Sequence, residues 1–331
     1  MNVMWRRPHR AVVLALLALL LIFALTMRPG LRPMSLRSTS LTRATTNPPP
    51  PPAEKAQIAT TTVPSGPKRN LAYVFYVTSD TYACACMALV ASIQKAGKRA
   101  DIGLVALVTA GVSKKMLEQL AGANIRTMEV ASMTTQTSDP TWRESLTRLA
   151  AFKLVEFDRI VVLDADGTVL KSLDFLFDLP SFPIYAPRAY WLPQPFLQAT
   201  LYVIEPSEAL YDAQVEVYQK AAKKGETLFD MDVANRAFKD TASFLPGTVA
   251  LLNGDFNQPP LAKSAANPFL TNAKLWENPY YVHFSESPLG GYGKPWSHSN
   301  PDRKIVSNPD AHPLYRSLFE TYWARQDEFC T

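Results

Sequence analysis

The sequence predicts an α/β protein: a single Rossmann-like domain built on a mostly parallel central sheet. Three observations carry this. Residues 71–78 (LAYVFYVT) and 102–109 (IGLVALVT) are continuous apolar runs rich in β-branched and aromatic residues, as strands buried on both faces are. Residues 82–96, between them, have helical character and stop before Gly97. Residues 159–163 form another apolar run that ends in Asp164-Ala165-Asp166. Strands alternating with helices give a parallel sheet, and in such sheets ligands bind beyond the carboxyl ends of the strands. Thr78-Ser79-Asp80 and the aspartate pair both lie at such ends, so they are expected to face one pocket.

The remaining elements follow in order. Ser113 is placed to N-cap a helix that runs to Ala121 and ends at Gly122. Residues 125–130 read as a shorter strand. Residues 145–157 (SLTRLAAFKLVEF) place Leu146, Leu149, Phe152 and Phe157 near helical spacing. After Asp166 the pattern is mixed. Residues 200–204 read as a strand, 207–224 as a helix capped by Ser207 and ended by Gly225, and 230–238 as a short helix. Residues 249–252 and 281–284 read as strands, and 314–329 as a terminal amphipathic helix. No internal repeat and no second domain boundary is visible.

The composition, 47% hydrophobic and 19% charged over 331 residues, is that of a packed globular protein. The basic pI of about 9.0 comes from the N-terminal fifth. Up to Lys68 the only acid is Glu54, and the rest of the chain is slightly acidic in balance. No overall positive field therefore argues for nucleic acid. Residues 11–27 (AVVLALLALLLIFALTM) are uncharged and at the short end of what spans a bilayer. A cleaved signal peptide is the rival reading, but Leu25-Thr26-Met27-Arg28 is a poor cleavage site. The expectation is a signal anchor with residues 1–10 as a cytosolic tail, in a single-pass type II arrangement. Residues 28–69 are rich in Pro, Ser and Thr, with five prolines at 48–52, and read as an extended stem. Residues 70–331 then form a luminal catalytic domain. The three cysteines, Cys84, Cys86 and Cys330, fit neither a disulfide framework nor a zinc pattern, and are expected as small core residues.

The stretch RIVVLDADGTVL at 159–170 admits two chemistries. In a haloacid-dehalogenase-like phosphatase Asp164 is the nucleophile, Asp166 a general acid/base and Thr168 a clasp. That reading needs a later acidic pair near Gly-Asp. Gly254-Asp255 begins such a motif, but the partner acid is missing. In a metal-dependent glycosyltransferase the pair holds a divalent cation against a nucleotide sugar, and a third ligand is needed downstream. His283 ends an apolar strand and is followed by the glycine-rich, basic turn Gly290-Gly291-Tyr292-Gly293-Lys294. Glycines there permit close backbone approach to a ligand. No G-x-G-x-x-G or P-loop is present, so a metal and side chains must hold any phosphates. A membrane-tethered, lectin-like pseudoenzyme is a third reading.

With these motifs in order, residues 71–296 resemble glycosyltransferase family 8, the glycogenin-like retaining enzymes, and within it the fungal Golgi N-acetylglucosaminyltransferases. The marks are VTSDTY, SLTRLAAFKLVEFDRIVVLDAD, SLDFLFDLP, LYVIEPSEALYD, FDMDVANRAF and VHF…GYGKPW. The resemblance implies a glycosyltransferase A-type domain, a UDP-sugar donor, a Mn²⁺ ion, a glycan or glycoprotein acceptor, retention of configuration and a Golgi membrane location. It implies Asp164, Asp166 and His283 as metal ligands. Thr78, Ser79, Tyr82 and Arg148 match nucleotide-sugar contacts, and Gly291 and Lys294 match diphosphate contacts. Asp230 matches an acid near the sugar, Gln198 lies where the family's sugar-contacting set begins, and these two are the candidate catalytic residues. Here the chain departs from the family, reading Gln198-Ala199-Thr200 in place of N-S-G. Two carboxylates and an imidazole suit Mn²⁺ better than Mg²⁺, which prefers all-oxygen shells.

Overall fold

A computed structural model of the protein describes residues 69–137, 142–257, 279–285, 293–297, 303, 305 and 307–330. They fall within one compact unit, Pro64–Thr331. The anchor, the stem up to residue 68 and Gly291 lie outside the described residues.

The central sheet takes its strands from both halves of the domain. β1 (Leu71–Val77) pairs in parallel with β2 (Ile102–Val108) on one side and β4 (Arg159–Asp164) on the other. β3 (Arg126–Glu129) extends the sheet beyond β2. The apolar runs have no polar alternation because both faces are covered. Tyr73, Phe75, Val77, Val161 and Leu163 pack on one face, and Ala72, Val74, Ile160 and Val162 on the other.

The far side of the sheet was less legible. β5 (Gly167–Val169) leaves for a second sheet, and β6 (Ile184–Pro187), β7 (Leu201–Ile204) and β8 (Ala242–Leu245) complete the first in the order β3-β2-β1-β4-β7-β6-β8. Among these, β7 alone runs against the others, pairing antiparallel with both β4 and β6. The smaller sheet has the order β5-β10-β9, with β9 at Ala250–Leu252 and β10 at Tyr281–His283.

Five α-helices flank these sheets among the described residues: α1 (Asp80–Lys95), α2 (Lys114–Gly122), α3 (Glu208–Ala222), α4 (Asp230–Ala237) and α5 (Pro313–Phe329). Ser113 and Ser207 cap α2 and α3 as expected, accepting from the N–H groups of Met116 and Leu210.

Two expectations are corrected. The segment expected as an amphipathic helix is a 3-10 helix over Ser145–Lys153. Its period of three residues explains why: Ser145 and Arg148 share one row, while Leu146, Leu149 and Phe152 share the next and fill the core. The cysteines are also not all plain core residues. Cys84 in α1 and Cys330 just past α5 form a disulfide, with Cα atoms 5.6 Å apart. Their separation of 246 residues hid the pair. Cys86 remains free and buried.

Candidate active site

Strand register builds the site. Asp164 is the last residue of β4 and pairs with Tyr76 of β1. The chain turns at Asp166 into β5, where Gly167 pairs with His283 of β10. The Phe284 N–H donates to the Asp166 carbonyl at 2.8 Å and extends that ladder by one step. Gly167 is required: a Cβ there would lie 2.2 Å from the Tyr281 ring. The Tyr281 hydroxyl in turn donates to the Asp164 carbonyl at 2.9 Å.

The result is a buried cluster of two carboxylates and one imidazole. His283 Nε2 lies 3.3 Å from Asp164 Oδ2 and 3.1 Å from Asp166 Oδ1. One donor atom from each residue fits within 4.8 Å of the others, and all three residues are under 8% exposed. This donor set fits a divalent transition ion. Burial pushes the His283 imidazole below its usual value; Asp166 pulls it up and Lys294 pushes it down, and the net direction is down. A neutral imidazole is the form that ligates metals.

Two cations complete the cluster. Lys294 pairs with Asp166 and Arg148 with Asp164. Burial raises the Asp166 carboxyl, but Lys294 and His283 outweigh it and hold it well below the usual range. Arg148 is fully buried, and its other arm meets Asp230 Oδ2 at 2.6 Å. Its guanidinium also lies 4.8 Å from the centre of the Tyr76 ring and 5.6 Å from that of Tyr202. Burial opposes its charge, yet Asp230 keeps it protonated. The Asp230 carboxyl is raised by burial, with Arg148 opposing.

A cavity of about 560 Å³ opens over this cluster. Asp164, His283, Arg148 and Asp230 line it together with Tyr76, Ser145, Trp142, Trp191 and Phe229. Sequence reasoning missed the last five. The three-residue period of the 3-10 helix would have found Ser145, but nothing in the sequence marked the tryptophans.

Gln198, expected as a catalytic residue, is buried behind the cavity wall and does not line the cavity. Its amide donates to the Arg188 and Ala250 carbonyls at 3.3 and 3.1 Å. Its Oε1 accepts from Thr200 at 2.8 Å, and Thr200 is the residue that reaches the cavity. Thr78 and Ser79 form the turn from β1 into α1, with Ser79 at the N-cap of α1. The Thr109 hydroxyl donates to the Thr78 carbonyl at 3.2 Å. Beside Thr109 a second cavity of about 510 Å³ lies at the ends of β2 and β3, lined by Gly111, Glu129, Ser132 and Glu144 among others. Tyr82 packs edge-on against Trp296, 5.3 Å between ring centres. Trp296 follows Lys294 by two residues, so this contact ties α1, just after the Thr78–Ser79 turn, to the lysine.

Two carboxylates and an imidazole that could hold a cation, at the end of a parallel strand with a lysine and an arginine beside them, suit a glycosyltransferase site. The fold agrees: the chain superposes on an active-site mutant of LgtC with a TM-score of 0.56 at 19% identity, covering 78% of this chain and 96% of that one. No family model matches the chain. Glucose N-acetyltransferase 1 of Aspergillus fumigatus is 32% identical over 293 residues, 77% of this chain and 76% of that protein. Glucose N-acetyltransferase 1 of Gibberella zeae is 28% identical over 267 residues, 72% of this chain and 56% of that protein. The chain thus spans little more than half the length of one of these relatives and three quarters of the other. It belongs to the glucose N-acetyltransferase 1 family. This displaces the phosphatase reading of the aspartate pair.

Proposed function

We propose that the protein transfers a sugar, N-acetylglucosamine or a related hexose, from a UDP-sugar to a glycan or glycoprotein acceptor in a Mn²⁺-dependent reaction with retention. The observation that carries this is the buried triad of Asp164, Asp166 and His283 with Lys294 against it. The relatives' name reads as acetyl transfer to glucose. The site is suited to a diphosphate leaving group, so we read the N-acetyl as belonging to the transferred sugar.

Each residue has a role in that reading. Asp164, Asp166 and His283 hold the cation. When bound, the ion neutralises charge on the departing diphosphate. Lys294 adds a second positive charge to the same group. Arg148 and Asp230 border the donor sugar, and Gln198 positions Thr200 at the cavity wall. The nucleoside lies along the Thr78–Ser79 turn toward the cavity at the ends of β2 and β3. In the reaction the anomeric carbon–diphosphate bond breaks, a bond to the acceptor oxygen forms, and the acceptor proton passes to the leaving diphosphate. Asp230 is held by Arg148 at 2.6 Å, which argues against its serving as a free nucleophile. That favours attack from the face the diphosphate leaves.

We further propose a single-pass type II protein in the Golgi membrane, anchored by residues 11–27 and with residues 70–331 in the lumen. The Cys84–Cys330 disulfide supports an oxidising compartment. The test is a screen of nucleotide sugars for release of UDP by the purified protein, with Mn²⁺ and with EDTA. Release from one UDP-sugar that requires the metal is expected. Release that is unchanged in EDTA, or turnover of aryl phosphates instead, would refute the reading.

A further inference from the structure

The cavity over the triad has a floor and a rim of different chemistry. Arg148, Asp164, Asp230 and His283 form the floor and are all buried. Trp142, Trp191 and Phe229 form the rim and are partly open to solvent, with Trp142 at 42% exposure. The two indoles come from separate segments of the chain. Trp142 precedes the 3-10 helix and packs edge-on against Phe229 at 6.5 Å. Trp191 packs edge-on against Tyr190 at 5.1 Å. Tyr190 is itself locked: its hydroxyl donates to Asp255 and accepts from the Leu252 N–H. Asp232 stands at the cavity edge, and its Oδ2 accepts the Phe229 N–H at 3.1 Å.

We propose that Trp142, Trp191 and Asp232 form an acceptor subsite for an uncharged pyranose ring, which rests on the transferase reading of the floor below it. A pyranose has C–H faces that pack on the electron-rich face of an indole, and hydroxyls around its edge that donate to a carboxylate. A floor of charged groups with a few aromatic anchors above it is the pattern of a small-molecule site, and the volume is within the usual range of about 300–1,000 Å³. The subsite selects against acidic sugars. Arg148 is the one cation among the described lining residues, and both its arms are taken by Asp164 and Asp230. Asp232 would then repel a uronic acid.

The test is saturation-transfer NMR on the full chain in metal-free buffer. The probes are methyl glycosides of glucose, galactose, mannose and N-acetylglucosamine, with methyl glucuronide as the acidic control. Signal on the ring protons of at least one neutral glycoside and none on the glucuronide is expected. In Trp142→Ala and Trp191→Ala the apparent Kd for that glycoside should rise about tenfold. Trp142→Phe and Trp191→Phe should recover most of the binding, which separates lost stacking from a damaged fold. Calorimetry with UDP and Mn²⁺ should give the same nucleotide affinity for all four variants and the parent. Unchanged glycoside binding in both alanine variants, no signal for any neutral glycoside, or an equal signal for the glucuronide would overturn the subsite. Absence of UDP binding in the parent chain with the glycoside signal intact would instead overturn the transferase reading and leave the platform standing.

Discussion

His283 and Lys294 both touch the aspartate pair but answer to different partners. His283 Nε2 lies within 3.3 Å of both carboxylates, so an ion held by them would meet it too. Its loss should therefore resemble the loss of Asp166. We expect His283→Ala and Asp166→Ala each to cut turnover by roughly three decades, with excess Mn²⁺ restoring part of it in the histidine variant. Lys294→Ala should leave Mn²⁺ affinity intact and weaken UDP, which titration of each ligand separately reads out. Arg148 is a different case. It is the buried countercharge of both Asp164 and Asp230. Replacing it with Met strands two carboxylates in the core, and we expect unfolding free energy to fall by about 3–5 kcal/mol in a urea titration. These residues differed in how far the sequence revealed them. Asp164 and His283 end apolar strands and Asp166 lies two residues past the first, and a strand end is visible in one dimension. Trp142 and Trp191 sit on irregular chain, where only the folded structure shows that they face one cavity.

At the level of elements, the small sheet is what aligns the triad. β10 carries His283 opposite Gly167, and its Tyr281 hydroxyl holds the Asp164 carbonyl. Tyr281→Phe removes that bond while keeping the ring over Gly167. A loss of about 0.5–1.5 kcal/mol in stability is expected, together with weaker Mn²⁺ binding by calorimetry; unchanged metal affinity would deny the strand its aligning role. The sequence announced β1, β2 and β4 because strands buried on both faces are long and uniformly apolar. It did not announce β5, β6 or β8, which are three or four residues long. It also misjudged the 3-10 helix. Leu146, Leu149 and Phe152 are spaced by three, a spacing that α and 3-10 periods share over so short a run.

Across the whole molecule, the chain's two ends of the domain are joined. The Cys84–Cys330 disulfide fastens α5 to α1, and α5 reaches the active site through Trp323, whose indole N–H donates to the Pro295 carbonyl at 3.1 Å, one residue past Lys294. Cys330→Ser should cost about 2–5 kcal/mol of stability, seen as a lowered Tm that a reducing agent reproduces in the parent protein. The pairing was illegible because its cysteines lie 246 residues apart, at opposite ends of the domain's sequence. The anchor and stem make a separate claim: protease added to sealed microsomes should spare residues 70–331 if the domain is luminal. The central claim, that one ion joins the triad to a nucleotide diphosphate, has its most direct test in calorimetry of UDP with the purified protein. We predict tight binding with Mn²⁺, a large loss of affinity in EDTA, and the same loss in His283→Ala with Mn²⁺ present. Equal UDP affinity with and without the metal, or full Mn²⁺ dependence in His283→Ala, would contradict it.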